Sequence, residues 1–183
     1  MRFPAFLDDC ALAVRWTLDN ISAAGGDPQR VFLMGHSAGA YNAAMLALAP
    51  AYLSAVGVEP RWVRGLIGLA GPYDFLPLTR AVSKAVFGFP DTPITTQPIH
   101  FATSAAPPAL LVTGGKDDVV DPGNSRRLAA RLRAQGGRAR EIVYPDLGHR
   151  TLVGALAAPF RGWAPVLEEV ATFVEAAGVK IEP

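Results

Sequence analysis

The chain has 183 residues, 50% of them hydrophobic and 18% charged, with a formal net charge of +1. That length and apolar share supply a core for one domain and exclude a fibrous or disordered chain. The near-neutral balance gives no electrostatic ground for binding nucleic acid or an anionic membrane, and the lone cysteine, Cys10, excludes an internal disulfide and is compatible with a reducing, cytoplasmic compartment.

The first predicted element is a helix from Pro4 to about Ala24, on which Cys10 lies among Phe6, Ala13, Val14 and Leu18 and reads as a packing thiol. A Gly25-Gly26-Asp27-Pro28 turn leads to an apolar strand, Val31 to Met34. The pentapeptide Gly35-His36-Ser37-Ala38-Gly39 follows, and then a helix, Ala40 to Ala49. A serine on a sharp strand-to-helix turn is where a hydrolase places a nucleophile. The turn predicts a strained serine backbone, with glycines two residues before and after it to avoid collisions. The Ala38 N–H at the helix start is placed to donate to an oxyanion. His36, beside the serine, is expected to point under the sheet as a packing residue. No Lys, Arg, Asp or Glu occurs in the 28 residues from Val31 to Val58. Polar and turn residues interrupt that run, so a buried strand and helix account for it better than a membrane span.

The next strand, Trp62 to Leu69, ends at Ala70-Gly71-Pro72-Tyr73-Asp74-Phe75. Parallel-sheet enzymes keep reactive groups at the C-terminal ends of strands, so Tyr73 and Asp74 are candidates to line a substrate pocket; the alternative is a turn capped by its own Asp. Six prolines fall between Leu76 and Pro108. With one helix near Thr79 to Phe87, residues 76–108 read as an irregular insertion, either a cap over the site or a long connection. His100 lies within it, with no strand to place it. The strand Ala109 to Thr113 delivers Lys116-Asp117-Asp118 after Gly114-Gly115. Asp121-Pro122 opens a helix that Gly136-Gly137 closes. Six arginines between Arg126 and Arg140 read as its solvated face. The strand Ala139 to Tyr144 ends at Pro145-Asp146-Leu147-Gly148-His149. The last helix, Trp163 to Ala177, sets Val166, Val170, Phe173 and Val174 on one face.

Helix and strand alternate along the chain, which predicts the α/β class: a parallel sheet with helices on both faces, in a single domain over 1–183. Ser37, an acid and His149 appear in the chain order of an α/β-hydrolase. The types follow from the chemistry. A serine hydroxyl needs an imidazole to take its proton, and a carboxylate to fix the tautomer and stabilise the cation that forms. Spacing alone does not separate Asp117 from Asp118. No His/Cys/Asp cluster has metal-ligand spacing, so neither a metal nor another cofactor is expected.

The stretches RFPAFLDDCALAVRWTLDNISAAGGDPQRVFLMGHSAGAYNAAMLAL, IGLAGPYDF, LLVTGGKDDVV with PGNS, and VYPDLGH together resemble the α/β-hydrolase esterases of the carboxylesterase and feruloyl-esterase-like group. Relatives of that group include kynurenine formamidases, and the likeness runs from Arg2 to about Val174. It implies a serine hydrolase that cleaves a small-molecule carboxylic ester through an acyl-enzyme, with formamide hydrolysis as the alternative. The group's acid motif, G-x-x-D-x-x-V, fits Gly114, Asp117 and Val120 and so selects Asp117; a histidine often precedes the motif, where this chain has Thr113. In the group's fold four strands and a His-Gly-Gly loop precede the nucleophile turn, and that loop supplies a second oxyanion donor. Only thirty-six residues precede Ser37, and no His-Gly-Gly occurs. The chain is therefore expected to match the C-terminal part of such a hydrolase, starting at an internal methionine. Two consequences are expected. The nucleophile strand presents an open edge through which the chain self-associates. Loss of one oxyanion donor lowers turnover by roughly 10² to 10³, leaving a weak or inactive fragment.

Overall fold

The computed structural model describes residues 1–177. Four strands form one parallel sheet: β1 (Val31–His36), β2 (Val63–Leu69), β3 (Ala109–Gly114) and β4 (Ala139–Tyr144), in the spatial order β1-β2-β3-β4. β2 and β3 are central and buried almost throughout, which their near-continuous apolar sequences require. β1 and β4 are the outer strands and are only partly buried. Among the described residues β1 pairs with β2 alone, so its other edge is open.

Alternation along the central strands feeds two cores. Leu66 and Leu111 point to one side, where α2 (Ala38–Leu48) and α5 (Gly123–Ala134) cover them with Ala44, Ala47, Leu128 and Leu132. Ile67, Leu69, Leu110 and Val112 point to the other, under α6 (His149–Gly154) and α7 (Val166–Ala177), which contribute Leu152, Val166 and Val170. Helices on both faces of a parallel sheet are what the alternating sequence predicts. A further layer forms outside α2: α1 (Ala5–Asn20) lays Ala11 and Val14 against Leu46, and against Leu53 of α3 (Pro50–Ala55). Cys10 is half-buried there, and burial pushes its thiol up from the ordinary value, with Asp9 adding to the shift. The α-helix ends at Asn20, short of the predicted Ala24; the last four residues tighten into a single 3₁₀ turn closed by Gly25 in the left-handed conformation.

The uncharged run from Val31 to Val58 is divided among β1, α2 and α3. Among the described residues no helix is long and apolar enough to cross a membrane. Between β2 and β3 the proline-rich segment holds α4 (Ala81–Phe87) and two 3₁₀ turns, Ile94–Thr96 and Pro98–Phe101. It is pinned to the sheet edge by buried Gln97, whose Oε1 accepts the Phe75 N–H at 2.7 Å, and by Ile99 N–H donating to the Tyr73 carbonyl at 3.1 Å. α5 begins at Gly123, one residue beyond Pro122, and Asp121 Oδ1 accepts the Gly123 N–H at 2.9 Å.

Candidate active site

Ser37 stands between β1 and α2 with φ 56° and ψ −123°, a backbone conformation that costs an L-residue strain. The close approach that produces it is visible at Gly35, where a Cβ would lie 2.3 Å from the Gly39 carbonyl carbon and oxygen and 2.6 Å from the Ala40 nitrogen. Only glycine fits there. At Gly39 the expectation fails, because nothing lies within 4 Å of where its Cβ would stand. The steric demand falls on one glycine rather than two. Ser37 N–H donates to the Leu69 carbonyl at 2.9 Å, tying the turn to the end of β2. A serine at this position usually caps the helix with its hydroxyl. Here it makes no cap bond, and Oγ lies 2.9 Å from His149 Nε2. The Ala38 N–H, at the first helical position, has no partner within the helix and borders the cleft.

The acid and base loops leave β3 and β4 and interlock. A Cβ on Gly114 would lie 2.2 Å from the Leu147 carbonyl oxygen, and one on Gly115 2.8 Å from the Pro145 backbone, so glycine at both positions permits the contact. Gly115 N–H donates to Tyr144 O at 2.8 Å and Lys116 N–H to Leu147 O at 2.9 Å. The result brings Asp117 Oδ2 to 2.8 Å from His149 Nδ1. Asp117 Oδ1 accepts the Val119 and Val120 N–H groups, both at 2.9 Å. The Asp117 side chain is fully buried and that of His149 nearly so. A carboxylate only accepts, so Nδ1 carries the proton and Nε2 accepts from the Ser37 hydroxyl. Ser37, His149 and Asp117 thus form a continuous hydrogen-bonded chain that can move a proton from hydroxyl to imidazole. Asp118 is exposed and takes no part in it.

Two further residues are placed differently from expectation. His36 is not a packing group beneath the sheet: Nε2–H donates to the His149 carbonyl at 2.9 Å, and the two rings lie 4.5 Å apart. Burial, the largest cause, pushes its pKa down; the bond to the His149 carbonyl works against that shift, and the charge on the His149 ring works with it. Tyr73 does not line the cleft. Its ring folds back over β2 into the space left by Gly68 and Gly71, where a Cβ would come within 1.9 and 2.4 Å of it, and the residue is fully buried. Asp74 does border the cleft, paired with Arg127, which also reaches Asp121 at 3.2 Å. Sequence reasoning missed Asn124. Its buried Oδ1 accepts the N–H groups of both Tyr73 and Asp74 at 2.8 Å and so shapes this wall. The signal was the PGNS stretch just after the acid. His100 is exposed and lies against Phe101, away from the cleft.

A cleft of ≈ 1000 Å³ opens over Ser37, Ala38 and Asp117. One wall is apolar, built from Phe6, Tyr41, Phe75 and Phe87, whose rings pack edge-to-face or tilted with centroids 5.2 to 6.4 Å apart. Tyr41 OH donates to Thr96 O at 3.0 Å, which orients that ring. Leu76 to Arg80, with part of α4, form the lip. No group of His, Cys, Asp and Glu among the described residues could hold a metal ion.

The BD-FAE family profile matches residues 1–132. An isoprenylcysteine α-carbonyl methylesterase of Arabidopsis thaliana is 29% identical over 84% of this chain and 40% of its own length. Esterase LipQ of Mycobacterium tuberculosis is 31% identical over 94% of this chain and 44% of its own. The chain therefore spans about two fifths of the length of these curated relatives. Among solved structures, a truncated carbohydrate esterase from gut microbiota superposes with a TM-score of 0.82 at 20% identity, covering 98% of this chain and 70% of that one. An acetyl ester-xyloside bifunctional hydrolase from Caldicellulosiruptor lactoaceticus gives 0.78 at 21% identity, covering 97% and 68%. At such identities these likenesses establish the α/β-hydrolase fold.

Proposed function

The chain belongs to the BD-FAE family of α/β-hydrolase esterases, and from that membership we propose that it hydrolyses a carboxylic ester with Ser37 as nucleophile, His149 as general base and acid, and Asp117 as the orienting carboxylate. The observation that carries the proposal is the pair of 2.9 and 2.8 Å contacts joining Ser37 Oγ, His149 and Asp117 across three strand ends. Ser37 Oγ attacks the ester carbonyl as Nε2 takes its proton, and the carbonyl oxygen becomes an oxyanion within reach of the Ala38 N–H. His149 then returns the proton to the departing alkoxide, the C–O bond breaks, and the acyl group stays on Ser37. Water deprotonated by His149 attacks the acyl carbon and releases the acid, and the proton goes back to Ser37. Asp117 stabilises the imidazolium in both halves of the cycle. The aromatic wall of Phe6, Tyr41, Phe75 and Phe87 fits an apolar acyl or alcohol group. The esterases among the relatives support ester hydrolysis, and a small-molecule ester is the substrate class proposed.

A fluorophosphonate probe tests this. It should label Ser37 in the purified chain, and Ser37→Ala should abolish both labelling and turnover of p-nitrophenyl acetate. Turnover that survives Ser37→Ala, or an adduct on another residue, would refute the assignment.

A further inference from the structure

His149 comes to Ser37 from across the sheet: its loop leaves β4, Ser37 leaves β1, and β2 and β3 lie between. Toward β3 the base loop is fastened repeatedly, by Gly115 N–H to Tyr144 O, by Lys116 N–H to Leu147 O, and by Nδ1–H to Asp117. Toward β1, among the described residues, two hydrogen bonds hold it. One is Ser37 Oγ to His149 Nε2; the other is His36 Nε2–H to the His149 carbonyl. Building on the hydrolase reading above, the first of these is absent whenever Ser37 carries an acyl group. The second touches no reacting atom, so acylation of Ser37 does not itself remove it.

We infer that His36 is a positioning residue, whose side chain clamps the backbone of the base against the nucleophile strand and keeps the imidazole aimed at the acyl carbon while the serine–histidine bond is broken. The geometry suits this role in two ways. His36 immediately precedes Ser37, so any motion of the nucleophile carries the clamp with it. Its ring also meets the His149 ring at 4.5 Å and 49°, which limits rotation of the imidazole about its own side chain. The carbonyl oxygen can only accept, so the bond requires a donor on His36 Nε2, which the neutral Nε2–H tautomer supplies.

Three substitutions separate positioning from simple packing. His36→Gln carries an amide N–H close to the place of the imidazole Nε2, His36→Asn carries the same group one bond short, and His36→Phe keeps a ring without a donor. With p-nitrophenyl acetate, kcat should stay within about threefold of wild type in the Gln variant and fall about tenfold or more in the Asn and Phe variants, with KM nearly constant in all three. The low-field proton resonance of His149 Nδ1–H should persist in His36→Gln and broaden in the other two. Equal kcat in all three folded variants would overturn the inference. So would loss of the cooperative thermal transition in Asn and Phe alone, which would assign His36 to folding. A wild-type chain that fluorophosphonate does not label would instead sink the hydrolase reading, and the comparison of His149 resonances would still decide whether the clamp exists.

Discussion

The Lys116 N–H donates to the Leu147 carbonyl at 2.9 Å, one of the bonds that fasten the loop that carries the acid to the loop that carries the base. It forms because Gly114 and Gly115 let two backbones meet where a Cβ at Gly114 would lie 2.2 Å from the Leu147 oxygen. Gly114→Ala should push the base loop away from Asp117 and Ser37. A displacement near 1 Å at reacting groups costs about 10² in rate, so kcat should fall by that order while circular dichroism retains the helical signal. Wild-type turnover in this variant would show that the two loops are not registered by this contact.

Asp117 and Asp118 are adjacent, yet only Asp117 reaches His149. Asp117→Asn should reduce kcat by roughly 10³ to 10⁴, because an amide allows the wrong imidazole tautomer and removes the charge that stabilises the imidazolium. Asp118→Asn, at an exposed position, should leave kcat within about twofold. Steady-state kinetics on the two variants distinguishes them, and the reverse ranking would exchange the roles.

The two glycines flanking Ser37 should respond in opposite ways. Alanine at Gly35 meets fixed backbone at 2.3 Å, an overpacking that costs about 3 kcal/mol or more and lowers the melting temperature by roughly 6 to 12 °C. Alanine at Gly39 meets open space on the first turn of α2 and should change stability by less than about 1 kcal/mol, with helix propensity favouring the substitution. Thermal melts of the two variants provide the comparison.

His36 should make stability fall on the acid side. Its imidazole is harder to protonate in the folded chain than its ordinary value of 6.5 implies, chiefly because it is buried. Between its lowered folded value and 6.5 the unfolded chain binds more protons, so stability rises with pH across that window and is lost as pH falls through it. His36→Gln, which has no titrating group, should show a flatter dependence of melting temperature on pH below 6.5 and the same dependence above it. Parallel curves for both proteins would remove His36 as the source.

Much of the fold was legible because its signals are local. The apolar runs at Val31, Val63, Ala109 and Ala139 became the four strands, and the near-continuous burial of β2 and β3 follows from having helices on both faces. The turn at Ser37 was readable from Gly35, since a close backbone approach leaves glycine as the only choice. Misplaced residues were those whose surroundings come from distant segments. Tyr73 follows a strand end, as pocket residues do, but Gly68 and Gly71 leave a space that its ring fills. Asn124 looked like part of a helix start, and its work for the Tyr73–Asp74 turn depends on a contact across 51 and 50 positions of sequence.

By itself the sequence determined the kinds of group available and the strand ends that carry them, because turn sterics and strand periodicity act over a few neighbouring residues. Only the tertiary structure decided which carboxylate meets the imidazole and that His36 grips the carbonyl of the base, since both depend on loops more than thirty and more than one hundred residues apart meeting within hydrogen-bond reach.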